Sequence, residues 1–334
     1  MNSKFSGIEE RKEFIIFLAI TYGLAFLMGI PMAVLYYTGK DISTFVTAQT
    51  FYPAAGLMLA KLLTKRGDPL LPKNFFTGFL ILTGIVALWC LAGFLLPGNT
   101  TSSGDFYLVG AGTIVSCALY FAEKKEKRIA YGLSGKNWKT SILLLLLYVV
   151  LISVFVMVQI FISVGADGLP TVDLYYFYGS IAMLVTLFSC FLGEEYGWRT
   201  YFQPLLQRKF GQIRGVLLFG VLWEFWHLPL VFFYYAPLDS SMSLAQTIVM
   251  RYVSATTVAI FMAYAYMKTH NVWLPVLIHF ANNNIMGFTI DNKHGTMVTW
   301  TMLGILILIR VAFFLPFLFS KVFKENSLNE RDNM

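Results

Sequence analysis

Residues 175–199 read YYFYGSIAMLVTLFSCFLGEEYGWR. The 18 residues from Tyr175 to Leu192 carry no charge, and they end on Gly193-Glu194-Glu195-Tyr196-Gly197-Trp198-Arg199. Uncharged runs of about 20 residues match the hydrocarbon thickness that a membrane helix must cross. An ionised side chain near the bilayer centre costs roughly 2.5–3.5 kcal/mol or more. Two carboxylates and an arginine closing such a run are therefore kept mainly where they act. Of 18 acidic residues, only Glu194, Glu195 and Glu224 fall in or against hydrophobic segments.

The surrounding chain has the same character. It is 334 residues long, 57% hydrophobic and 13% charged, with mean hydropathy +0.66, which excludes an ordinary soluble domain. Apolar runs at 14–37, 43–63, 75–97, 105–122, 141–164, 175–195, 215–235, 244–267, 272–290 and 297–319 show helical length and no strand alternation. Because backbone polar groups must be satisfied internally in lipid, this pattern predicts an all-α polytopic transmembrane bundle of about eight to ten segments. It also predicts one integral membrane domain over residues 1–334, with a disordered tail at 325–334.

The net charge of +7 and a pI near 9.2 raise the question of nucleic acid. The basic residues sit in short loops, however, as the positive-inside pattern requires, so the expected partner is the lipid bilayer and not nucleic acid. With the N-terminus cytoplasmic, 21 Lys and Arg fall inside and only Lys40 and Lys293 outside, leaving Arg251 and Arg310 within apolar runs. This partition predicts a multi-pass protein with cytoplasmic N- and C-termini, in the plasma membrane if the source is prokaryotic. No cleavable signal peptide is evident. The cluster from Pro97 to Gly104 reads as an outer turn, and Arg199 to Arg214 as a basic interfacial stretch. Cys90, Cys117 and Cys190 lie in apolar segments without metal spacing and read as small buried hydrophobes.

Three groups of residues carry possible chemistry. Glu195 and Arg199 are four apart, so on a helix they face one another and pair, while Glu194 points about 100° away. One acid neutralised by arginine and one held in an apolar pocket separates the roles of neighbouring carboxylates. The second group is Trp223-Glu224-Phe225-Trp226-His227-Leu228-Pro229, where Trp223 lies one turn before His227. Here Glu224 either orients His227 or pairs with Arg251 or Arg310 in another helix. In the third group, His279-Phe280-Ala281-Asn282-Asn283-Asn284, His279 and Asn283 share a helical face. Adjacent asparagines in an apolar run are costly without partners, so an interhelical hydrogen-bond knot is the bland alternative. His270 and His294 fall in loops and suggest no chemistry.

Glu-Glu-x-x-x-Arg, then aromatic-x-x-x-His, then His-x-x-x-Asn, in that order, resembles the CPBP family of CAAX-prenyl endopeptidases and bacteriocin-processing or immunity-type intramembrane proteases. The resemblance covers roughly residues 175–290. It implies catalytic roles for Glu194, His227, His279 and Asn283, with Glu195, Arg199, Glu224 and Trp223 supporting. Trp223 stands where the family usually has Phe, and Glu224 where it usually has a small residue. The implied function is an intramembrane endopeptidase acting on a hydrophobic, prenylated or precursor peptide or protein. In it Glu194 and His227 activate water, and His279 and Asn283 stabilise the oxyanion. No metal is favoured; a rival arrangement uses Glu194, His227 and His279 as zinc ligands. Two other classes stay open: a proton-coupled transporter, and a non-proteolytic scaffold or immunity factor that keeps the fold.

Overall fold

The computed structural model describes residues 3–95, 101–164, 183–184, 186–238, 241–287 and 297–324. Outside them lie residues 97–100 of the expected outer turn, most of the run before Thr186, Lys293, His294 and the tail at 325–334. The described residues are mostly helical and contain no strand, so the protein is all-α. Among the described residues, five helices are long and apolar enough to cross a membrane: Gly7–Tyr37, Lys73–Leu95, Trp138–Ile162, Leu244–Thr269 and Trp300–Phe319. The bent pair Gln212–Trp226 and Leu228–Leu238 brings the number to six. Among the described residues, helix is found within each of the ten expected runs, but several of these helices are too short, or too sharply broken, to cross alone.

Chain contacts gather the residues into two compact units: 1–134 with 178–201, and 135–177 with 202–334. The first holds α1 (Ser3–Leu18), α2 (Leu24–Tyr37), α3 (Ser43–Thr50), α4 (Tyr52–Thr64), α5 (Lys73–Leu95), α6 (Thr101–Ala122), α7 (Lys125–Ala130) and α9 (Phe188–Gly197). A five-residue π segment, Ala19–Gly23, joins α1 to α2. The expected helix over 43–63 is broken at Phe51, because Pro53 opens a new first turn and cannot continue the old one. Thr101 to Gly104, expected in a turn, instead begin α6.

Close helix contact in this unit depends on glycine. A Cβ on Gly56 of α4 would lie 2.8 Å from Thr21 Oγ1 and 3.0 Å from the Phe17 carbonyl oxygen. One on Gly193 would lie 2.8 Å from the Thr50 carbonyl, and one on Gly197 would strike the Pro53 carbonyl. Gly193 and Gly197 are four apart, so they form one bare stripe on α9 that seats against the α3–α4 break. At the other end of α4, Glu13 is 4% exposed and binds Lys61 at 2.7 Å and Thr64 at 2.8 Å.

The second unit holds α8 (Trp138–Val164), α10 (Gln203–Phe210), α11 (Gln212–Trp226), α12 (Leu228–Leu238), α13 (Leu244–Thr269), α14 (Trp273–Gly287), α15 (Trp300–Phe314) and α16 (Lys321–Lys324). The long α13 lies at its centre and touches α8, α11, α14 and α15. Ser243 and Gln246 form a capping box at its start, satisfying donors that would otherwise be orphaned. Gly215 and Gly220 let α11 approach α10 and α13 at backbone distance. The bend of 49° between α11 and α12 follows from Pro229, whose ring cannot continue the helix.

Candidate functional site

The acidic motif belongs to the first unit. Glu194, Glu195 and Arg199 are 2%, 0% and 0% exposed, so the expected basic surface stretch does not begin at Arg199. Arg199 Nε donates to Glu195 Oε2 at 2.6 Å, the i,i+4 pair that the spacing predicts. Glu194, one residue earlier, stands on a different face of α9. Immediately after the acids, Trp198–Phe202 form a π segment, a local widening that often marks functional helices.

Neighbours hold this segment on several sides. Thr113 of α6 shares a hydrogen bond of 2.6 Å with Ser189 and donates to the Thr186 carbonyl at 2.8 Å. The Tyr196 hydroxyl donates to the Tyr131 carbonyl at 2.8 Å. Trp198, wholly buried, meets the Phe17 ring edge-on at 5.8 Å. The carboxylates therefore stand on a helix whose position is determined by backbone contacts at Gly193 and Gly197 and by these polar anchors.

The histidine motifs belong to the second unit. His227 closes α11 just before the Pro229 bend and keeps only 12% side-chain exposure. Its Nδ1 lies 3.0 Å from the Trp223 carbonyl oxygen, which can only accept. Nδ1 therefore carries the hydrogen, and in the neutral ring Nε2 retains its lone pair. Trp223 stands between the two histidines, its ring centroid 6.2 Å from that of His227 and 6.0 Å from that of His279. His279 is 8% exposed on α14, and Asn283 lies one turn further on, exposed. The aromatic position four residues before His227 is thus a wall for both histidines.

Glu224 takes one of the partners that the sequence left open. Arg251 of α13 grips it in a bidentate pair, Nε to Oε1 at 2.6 Å and Nη2 to Oε2 at 3.3 Å. The same guanidinium lies 3.9 Å above the Tyr235 ring, which in turn faces His227 at 6.4 Å. Glu224 Oε2 is 3.8 Å from His227 Nδ1, too far to orient it by hydrogen bond; a backbone carbonyl performs that task. Arg310 is not the partner: its Nε donates to Thr257 at 3.0 Å, and its guanidinium lies 4.8 Å from the Phe155 ring. Sequence reasoning missed Tyr235, which carried no signal beyond being aromatic. Arg251 did carry one, as a cation stranded inside an apolar run.

These groups are of the kinds acid–base chemistry uses: buried carboxylates, one of them bound to arginine, and a histidine whose Nδ1 is committed to a backbone carbonyl. Carboxylate and imidazole are also ligand types that zinc accepts. Residues 176–285 match the family model described as type II CAAX prenyl endopeptidase Rce1-like. Over that segment the chain is similar to this family. A curated relative, CAAX prenyl protease 2 of Methanococcus maripaludis, is 27% identical over 180 residues, covering 48% of this chain and 63% of the relative. The chain thus spans less than two thirds of the length of that relative. All eight residues singled out above lie inside the segment matched to the family model.

Proposed function

We propose that the protein is an intramembrane endopeptidase whose substrate is a hydrophobic or prenylated peptide or protein tail. The observation that carries this reading is a pair of adjacent buried acids, Glu194 and Glu195, of which Glu195 is tied to Arg199. In the proposed reaction Glu194, assisted by His227 Nε2, takes a proton from water. The water oxygen adds to the scissile carbonyl carbon, and His279 with the Asn283 amide donates hydrogen bonds to the resulting oxyanion. The carbon–nitrogen bond then breaks, and the abstracted proton passes to the leaving amine, giving a carboxylate and a free amine. For this, Glu194 and His227 must reach one water, each at about 2.6–3.2 Å.

The order of motifs and the match to CAAX prenyl endopeptidases support a lipidated C-terminal tail as substrate. The basic loops support cytoplasmic termini and access from that side of the bilayer. No metal is needed for the steps above; if zinc is held by Glu194, His227 and His279, it supplies Lewis acidity at the same place.

The test uses purified protein in lipid nanodiscs with two fluorogenic peptides, one farnesylated on cysteine and one hydrophobic but unlipidated. Mass spectrometry locates the cut. Cleavage of the farnesylated peptide, lost in Glu194→Gln and in His227→Ala and retained after chelation, is the expected result. Cleavage abolished by chelator and restored by zinc would transfer the chemistry to a metal. Cleavage of neither peptide, or cleavage that survives Glu194→Gln, would refute the reading.

A further inference from the structure

The three consecutive asparagines do three different things. Asn284 Nδ2 donates to its own helix, to the Phe280 carbonyl at 2.9 Å. Asn282 reaches across to α8, where the Tyr148 hydroxyl donates to its Oδ1 at 2.7 Å. Asn282 Nδ2 then donates to Asn283 Oδ1 at 3.2 Å. Each step in this chain has a fixed direction. A phenol that donates to Asn282 Oδ1 commits that end of the amide as acceptor, so the Nδ2 end faces Asn283. The Asn283 oxygen is thereby taken, and its Nδ2 hydrogens are the end presented outward. Among the described residues those hydrogens have no protein partner.

An asparagine amide is nearly symmetric in shape, and turning it over exchanges two donors for an acceptor. An oxyanion needs the donor end. Tyr148 presents its hydroxyl to Asn282 Oδ1 from a fixed position. It is 0% exposed and clamped between the Phe261 ring at 5.1 Å and the Phe314 ring at 5.8 Å.

We infer that Tyr148 and Asn282 are positioning residues that hold the Asn283 amide with its Nδ2 end toward the reacting carbonyl. This rests on the oxyanion role proposed for Asn283. Neither residue touches the substrate, so their removal should lower kcat and leave KM in place. One neutral hydrogen bond contributes about 0.5–1.5 kcal/mol net, which corresponds to roughly a two- to twelvefold loss of rate.

The experiment compares Tyr148→Phe, which deletes one oxygen, and Asn282→Leu, which keeps the volume and deletes both bonds. Each is made alone and together with Asn283→Ala, and kcat and KM are measured on the farnesylated peptide. The expected result is a kcat loss of about two- to twelvefold for each single variant, with no further loss on the Asn283→Ala background. Equal losses on both backgrounds, or a change in KM alone, would overturn the inference. If Asn283→Ala by itself leaves kcat intact, the oxyanion role fails separately, and the inference fails with it. A second readout needs no turnover. In protein labelled with 15N-asparagine, the Asn283 side-chain NH2 resonances should shift in Tyr148→Phe; resonances that stay in place overturn the inference even if no peptide is cleaved.

Discussion

Glu195→Gln separates the two adjacent acids by stability. The substitution keeps the side chain's shape but removes its charge, so Arg199, 0% exposed, loses the carboxylate bound at 2.6 Å. Breaking one side of a buried ion pair costs about 3–5 kcal/mol, because the remaining charge stays desolvated. Both partners here are completely buried, so solvent screening gives little relief. At about 2–4 °C per kcal/mol for a domain of ordinary size, unfolding should move down by roughly 6–20 °C. The double variant Glu195→Gln, Arg199→Met removes both charges and should return to within about 1–2 kcal/mol of the parent. Glu194→Gln should behave differently. It leaves the bond between Arg199 and Glu195 in place and should lower the unfolding temperature by less than Glu195→Gln does. It should nevertheless cost about 10²–10⁴-fold in turnover as the loss of a general base.

The assay is thermal unfolding of the four proteins in identical nanodiscs, with turnover measured per folded molecule. Glu195→Gln should be unstable yet active where folded, and Glu194→Gln more stable but inactive. Equal unfolding temperatures for the two single variants would show that the Arg199 bond does not distinguish them. An inactive but fully stable Glu195→Gln protein would show that the chemistry belongs to the wrong acid.

Three further outcomes follow from the structure. Arg251→Met should destabilise by about 2–4 kcal/mol, because Glu224 at 2% exposure loses its bidentate partner; adding Glu224→Gln should recover most of that, and equal unfolding of single and double variants would sink the argument. Gly197→Ala should cost at least about 1–3 kcal/mol, since its Cβ strikes the Pro53 backbone, whereas Gly84→Ala, with nothing within 4 Å, should be neutral or stabilising; indistinguishable melting curves would refute the stripe. Tyr131 donates to Asp68 at 2.6 Å, which holds the Asp68 carboxyl below its usual range, while burial and that same bond push the Tyr131 phenol up. A depressed carboxyl stabilises above its unfolded pKa of about 3.9 and loses that contribution as pH falls through its folded value. A raised phenol stabilises below about pH 10 and loses its contribution as pH rises through the folded value. Tyr131→Phe should therefore lower stability at pH 7 by about 0.5–1 kcal/mol and converge with the parent below about pH 3; a gap constant from pH 3 to 7 would contradict this.

What the sequence reveals and what it hides divide by the distance over which a contact acts. Glu195 and Arg199 were legible as a pair because four residues of helix determine their separation. The break at His227 was not read from the sequence, where 215–235 stood as one run, although Pro229 acts on its own turn. Glu224 was not assignable: Arg251 and Arg310 were equally plausible from composition, and the choice is made by how α11 packs on α13 at Gly220, where a Cβ would lie 2.6 Å from the Thr256 Cα. Glu13 read as one of several acids before the first helix, yet it is buried against Lys61, 48 positions away. The asparagines show the limit most sharply. Three identical side chains in a row carry one signal in sequence, an expensive polar patch, and their different duties arise only from what each turn of α14 faces. Tyr148 had no signal at all, being one of 18 tyrosines, and only α8 packing on α14 makes its hydroxyl a neighbour of Asn282. Charged residues stranded in apolar segments were thus the reliable pointers, because desolvation forces each to find a partner. Neutral residues that aim those partners become visible only with the packing.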